Sequence, residues 1–150
     1  MSNDADNSLK PAIGVLICDD NEAMRALLRV VVELRPTLRV VGEAADGHDA
    51  IREATRLQPD VILLDLAMPR RTGLDVLPEI REKAPDAKII VFSGFSTASV
   101  AEGAIDLGAI RYLTKGADPE AINDAIEEVV AEATPGALMG TSARFERPST

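Results

Sequence analysis

The 150-residue chain holds a single cysteine, Cys18, and a single histidine, His48. One thiol cannot close an internal disulfide or build a cysteine cage for a metal, so packing alone must hold the fold. Positive charge is also short: 16 Lys and Arg stand against 25 Asp and Glu, for a net charge of −9. That deficit argues against the domain itself neutralising a nucleic-acid backbone. Long apolar runs are missing as well. Val61-Ile62-Leu63-Leu64 and Val30-Val31-Val32 fall far below the roughly 20 residues of a membrane helix. The start, Met1-Ser2-Asn3-Asp4, has neither the basic nor the apolar region of a secretory signal. These absences predict a cytoplasmic protein that does not span a bilayer.

What is present is enough for a core. The chain is 46% hydrophobic and 27% charged, a balance typical of globular proteins. A single domain of this length buries roughly 70% of its extended surface on folding. Residues 1–8 are polar and read as a flexible N-terminus, 9–133 as the domain, and 134–150 as a flexible tail rich in Pro, Gly, Ser and Thr.

Inside the domain, short apolar runs alternate with helical patterns. Ile13 to Cys18 reads as a strand buried on both faces and stops at Asp19-Asp20. Asn21 is placed to cap a helix with Met24, Leu27, Leu28 and Val31 on one face, ended by Pro36. Leu38 to Glu43 is a second strand, and Gly47 to Leu57 a helix turning Ala50, Ala54 and Leu57 inward. A third strand, Val61 to Leu64, stops at Asp65. The loop Met68 to Gly73 then leads to a helix with Leu74, Leu77 and Ile80 facing in and Pro78 near its start. Ile89 to Phe92 is a fourth strand ending at Ser93. The following helix, about Thr97 to Leu107, is weakened by Ser99 and Gly103. Tyr112 to Thr114 is a fifth strand ending at Lys115. Asp118-Pro119-Glu120 starts a last helix with Ile122, Ile126, Val129 and Ala133 on its inner stripe.

Five strands alternating with five helices predict an α/β fold with a parallel sheet covered on both faces. In such sheets ligands bind beyond the carboxyl ends of the strands. The residues standing there are Asp19, Asp20, Asp65, Ser93 and Lys115. Three carboxylates at one place repel one another unless a cation or an ammonium group compensates. A hard divalent ion with oxygen ligands suits them, which favours Mg2+ over zinc. A carboxylate beside such an ion, a lysine and a hydroxyl has the parts of a phosphoryl acceptor. Asp65 would be the nucleophile. Asp20 would bind the metal directly and Asp19 directly or through water, while Lys115 and the Ser93 hydroxyl would hold phosphoryl oxygens. Taken singly these residues have plainer uses: Asp19-Asp20 as a helix cap, Ser93 in a turn, Lys115 as a solvated strand end. It is their joint placement that points to chemistry. Tyr112 reads as a packing residue, Cys18 as a small buried hydrophobe, and Arg70 and Arg71 as a solvated pair; His48 is assigned no catalysis.

The Asp19-Asp20 pair, Asp65 with Met68-Pro69 and Gly73 after it, Ser93-Gly94, and Tyr112-Leu113-Thr114-Lys115 together resemble the receiver domains of two-component response regulators. The resemblance runs from about Leu9 to Ala133 and implies a flavodoxin-like sheet in the order 2-1-3-4-5. It implies a phosphoacceptor signalling domain and not a conventional enzyme: Asp65 receives a phosphoryl group from a histidine kinase or phosphotransfer protein. Mg2+ assists, and the backbone carbonyl of Ala67 is its third protein ligand. Ser93 and Tyr112 are then switch residues that reshape the surface of the fourth helix, fifth strand and fifth helix for a downstream protein target. Ala67 and Phe95 are apolar where receivers place residues that influence attack by water, which implies a longer-lived phosphorylated state. The Lys115-Gly116-Ala117-Asp118-Pro119-Glu120 segment looks like receivers that precede a helix-turn-helix output domain. Only 17 residues follow Ala133, so the expectation is a stand-alone receiver, with the receiver of a transcription factor as the alternative. Homodimerisation on phosphorylation stays open. A haloacid-dehalogenase-like phosphatase is disfavoured because Ala67 stands where that family places its acid, and a phosphate-free scaffold is disfavoured by the intact acidic set.

Overall fold

The computed structural model describes residues 11–94 and 98–132. The expectations for residues 1–8, 134–150, Ala133 and Phe95 lie outside them. Strands β1 (Ile13–Cys18), β2 (Leu38–Ala44), β3 (Val61–Leu64), β4 (Lys88–Ser93) and β5 (Arg111–Thr114) alternate with helices α1 (Glu22–Val32), α2 (Gly47–Leu57), α3 (Gly73–Lys83), α4 (Ala98–Asp106) and α5 (Pro119–Glu132). All strand pairs are parallel, and the sheet order is β2-β1-β3-β4-β5. This is the flavodoxin-like order that the resemblance to receiver domains implies.

The sheet separates two cores by the two-residue alternation of strand side chains. Leu16, Cys18, Ile62, Leu64, Ile89 and Val91 pack toward α2, α3 and α4. Val15, Ile17, Leu63, Ile90 and Phe92 pack toward α1 and α5. Because both faces are covered, the strands read in sequence as continuous apolar runs.

Local capping fixes where three helices begin. Asn21 accepts from the Met24 amide at 3.0 Å and Asp46 from the Asp49 amide at 2.8 Å. Thr72 and Asp75 form a reciprocal capping box at the start of α3.

Two expected placements are corrected. Leu27 is 54% exposed, and the inner face of α1 is made by Leu28, Val31 and Val32. At 100° per residue Leu27 lies about 40° beyond Val31, on the margin of the stripe. Pro78 sits inside α3 and not in its first turn. It is exposed, so the carbonyl left without a donor one turn earlier lies on the solvent side, where water can bond it.

Candidate functional site

The site lies where strand order reverses, between β1 and β3. Cys18 is paired with Leu64, so Asp19 and Asp65 leave the sheet side by side. The ladder extends past the strand ends: the Asp65 amide donates to Cys18 O, the Asp19 amide to Ala44 O, and the Lys115 amide to Ser93 O, each at 2.9 Å. Backbone bonding thus carries three of the predicted residues to one rim.

Asp19 and Asp65 are buried, at 1% and 3% exposure, while Asp20 is exposed. Carboxylate oxygens of the three lie within 4.8 Å of one another. The Lys115 ammonium bridges two of them, 2.8 Å from Asp19 Oδ2 and 3.1 Å from Asp65 Oδ2. Burial acts to lower the Lys115 pKa, but the hydrogen bonds and charges of Asp19 and Asp65 outweigh it and hold it above the ordinary lysine value. The other oxygens are held locally. Asp65 Oδ1 accepts from the Ala67 amide at 3.1 Å, and Asp19 Oδ1 from the Asn21 amide at 2.9 Å.

One ammonium against three carboxylates leaves two negative charges uncompensated, the charge a divalent cation supplies. The donors are all hard oxygens, and the exposed Asp20 leaves the cluster open to water, as Mg2+ requires because it keeps part of its hydration shell. Ligands at 2.0–2.1 Å from Mg2+ stand roughly 3–4 Å apart, and the three carboxylate oxygens here all lie within 4.8 Å of one another. The residues fit the ion.

The switch candidates lie beside this cluster. Ser93 is fully buried at the end of β4 and opposite Thr114 in register. Tyr112 packs partly buried against the α2–α4 core. Burial pushes its phenol above the ordinary value, with Ser93 acting in the opposite direction, and its hydroxyl lacks a hydrogen-bond partner of good geometry among the described residues. Ala67 reaches the site through its amide.

Two features were not expected from the sequence. Arg25 on α1 donates from Nη1 to the Asp19 carbonyl at 2.8 Å and from Nε to Glu43 at 2.9 Å. A basic residue one helical turn inside a helix that follows an acidic strand end was the available signal. Arg71 is also not simply solvated, since it pairs with Glu79 at 2.8 Å, whereas the Arg70 side chain is 68% exposed and lies 3.6 Å from Asp46 at the start of α2. No described helix is long and apolar enough to cross a membrane.

Known proteins are similar to this chain. The chain is 45% identical over 112 residues to the nitrate/nitrite response regulator protein NarP of Escherichia coli, covering 75% of this chain and 52% of that protein. It is 38% identical over 117 residues to the uncharacterized transcriptional regulatory protein YxjL of Bacillus subtilis, covering 78% and 54%. The chain therefore spans about half the length of these relatives. Among solved structures it is similar to a two-component response regulator of the LuxR family from Aurantimonas, with a TM-score of 0.77 and 30% identity over 90% of this chain and 99% of that one. Residues 15–127 match the response regulator receiver domain family. With the parallel sheet, its strand order and the acidic cluster at the switch point, that match means the chain belongs to the receiver domains of response regulators.

Proposed function

We propose that Asp65 accepts a phosphoryl group from a histidine kinase or histidine phosphotransfer protein. The observation that carries this reading is the buried Asp65 carboxylate held between the Lys115 ammonium and the Ala67 amide, with Asp19 and Asp20 beside it. Receiver domains are phosphoacceptor signalling modules and not conventional enzymes. Membership implies a phosphodonor upstream and a signalling partner downstream.

A carboxylate oxygen of Asp65 attacks phosphorus, the new O–P bond forms, and the bond to the donor nitrogen breaks with its electron pair staying on the imidazole. The Asp65 carboxylate is poised for this because its other contacts fix its direction. Lys115 gives up its hydrogen bond to Asp65 and takes a phosphoryl oxygen, and the Ser93 hydroxyl donates to another. Asp19, Asp20 and Asp65, with the Ala67 carbonyl, would hold Mg2+, which neutralises charge on the transferring group when bound. Tyr112, with its neighbour Ser93 drawn toward the phosphoryl group, then shifts between packed positions. The surface of α4, β5 and α5 changes with it, as a population shift. Phosphorylation-dependent homodimerisation is one outcome that surface could serve.

Between the two forms of output, the relatives favour the receiver of a transcriptional regulator over a stand-alone receiver. Two of them are named transcriptional regulatory proteins, and this chain spans about half the length of each. An acyl phosphate has a chemical signature that tests the reading. Protein treated with phosphoramidate and Mg2+ should lose its label to hydroxylamine, whereas label stable to hydroxylamine would refute an aspartyl phosphate. A source reading frame that continues into a DNA-binding segment would establish the transcription-factor form.

A further inference from the structure

Asp19 has a close contact at every polar atom, the one at Oδ2 being an ion pair. Its amide donates to Ala44 O, Oδ1 accepts from Asn21, Oδ2 meets Lys115, and its carbonyl accepts from Arg25 Nη1 at 2.8 Å. The last of these contacts acts on the next residue. The peptide unit is planar, so fixing the Asp19 carbonyl oxygen fixes the plane that contains the Asp20 nitrogen and Cα. Asp20 is the exposed member of the acidic cluster, without the ladder bonds that anchor Asp19 and Asp65.

Arg25 is itself held. Its Nε donates to Glu43 Oε1 at 2.9 Å, and Glu43 Oε2 accepts from Arg29 Nε at 2.9 Å and Nη2 at 2.6 Å. The Arg25 side chain is 17% exposed. Glu43 lies on β2 opposite Ile17 of β1, so the guanidinium is anchored to the sheet and reaches over to the β1–α1 turn. The planar fork of Arg presents Nε and Nη1 to the two acceptors in a fixed geometry, which the rotatable donors of a lysine ammonium do not reproduce.

We propose that Arg25 is a positioning residue for the cation site: held by Glu43, it grips the Asp19 carbonyl and thereby aims Asp20 at the shared metal. This rests on the reading of the acidic cluster as a Mg2+ site. Partners of this second layer commonly change metal affinity by about 10- to 100-fold.

The test is calorimetric titration of the full chain with MgCl2, for wild type, Asp20→Asn, Arg25→Ala and Arg25→Lys, with thermal midpoints recorded without metal. Wild type should bind, Asp20→Asn should lose binding, and Arg25→Ala should bind about tenfold more weakly or worse. Arg25→Lys, which keeps the charge and loses the fork, should also be weakened, and it carries the test if Arg25→Ala does not fold. Wild-type affinity in Arg25→Lys would overturn the inference, because charge and not grip would then be what matters. So would a lowered midpoint in Arg25→Ala with unchanged Mg2+ affinity, the mark of a purely structural role. Either result leaves the metal reading standing. Absence of Mg2+ binding in wild type would overturn that reading, and this inference with it.

Discussion

Gly73 lies so close to Asp65 that a Cβ on it would stand 2.5 Å from the Asp65 carbonyl oxygen and 2.8 Å from Leu66 Cα. Those are backbone atoms, which cannot rotate away as a flexible side chain would. The Gly73 amide donates to Leu66 O at 3.1 Å, closing the loop from β3 into α3. Gly73→Ala should therefore destabilise the fold by about 1–3 kcal/mol, the range for overpacked sites. It should also slow phosphorylation of Asp65, because the strain falls on the nucleophile's own backbone. Thermal unfolding and an acetyl phosphate time course together check this; a variant equal to wild type in both would contradict the close packing.

Removing Asp20 should have opposite effects with and without metal. Without Mg2+, Asp20→Ala relieves carboxylate repulsion in a cluster that carries one ammonium for three acids, so its midpoint should equal or exceed wild type. Wild type should gain about 2.7 kcal/mol at a Mg2+ concentration 100 times its dissociation constant, a rise of about 2–4 °C per kcal/mol for a chain of this size. The variant should gain little. Matching Mg2+ responses in the two proteins would exclude Asp20 from the site.

Much of the site was legible because a parallel strand buried on both faces is uninterrupted and apolar, and a charged residue that ends such a run is conspicuous. Asp65 after Val61-Ile62-Leu63-Leu64 is the clearest case. Arg25 was visible as a basic residue one turn into α1, but its bond to a backbone carbonyl leaves no periodic trace. Leu27 was misplaced because helical spacing defines a stripe but not how wide the covered strip is. The pairing of Arg71 with Glu79 depended on where the loop after β3 meets α3, which is a tertiary relationship.

Glu43 gives the acid side of the stability curve a specific contributor. Burial acts to raise its pKa, but the hydrogen bonds of Arg29 and Arg25 outweigh it and hold the carboxyl below its ordinary value. A group lowered on folding contributes stability above its unfolded pKa, about 4.3, and loses it as pH falls through the lowered folded value. Glu43→Gln should thus be less stable at neutral pH, by about 1 kcal/mol or less since the pair is partly solvated. The gap should close as pH falls from about 5 through that lowered folded value. Urea midpoints across that interval check the sign; a gap that widens as pH falls would contradict it.

Ala67 is exposed and donates its amide to Asp65 Oδ1 at 3.1 Å, so its side chain stands at the mouth of the site with no polar group to orient water. The phosphorylated protein should persist well beyond seconds, and Ala67→Asn should lose phosphate several-fold faster. Decay is followed by intact mass after the donor is removed. Equal lifetimes would show that this position does not govern access of water.

The most direct measurement is intact mass after incubation with phosphoramidate and Mg2+, for wild type and Asp65→Asn. The account predicts an adduct of about 80 Da on wild type alone. An unmodified wild type, or the same adduct on Asp65→Asn, would contradict it.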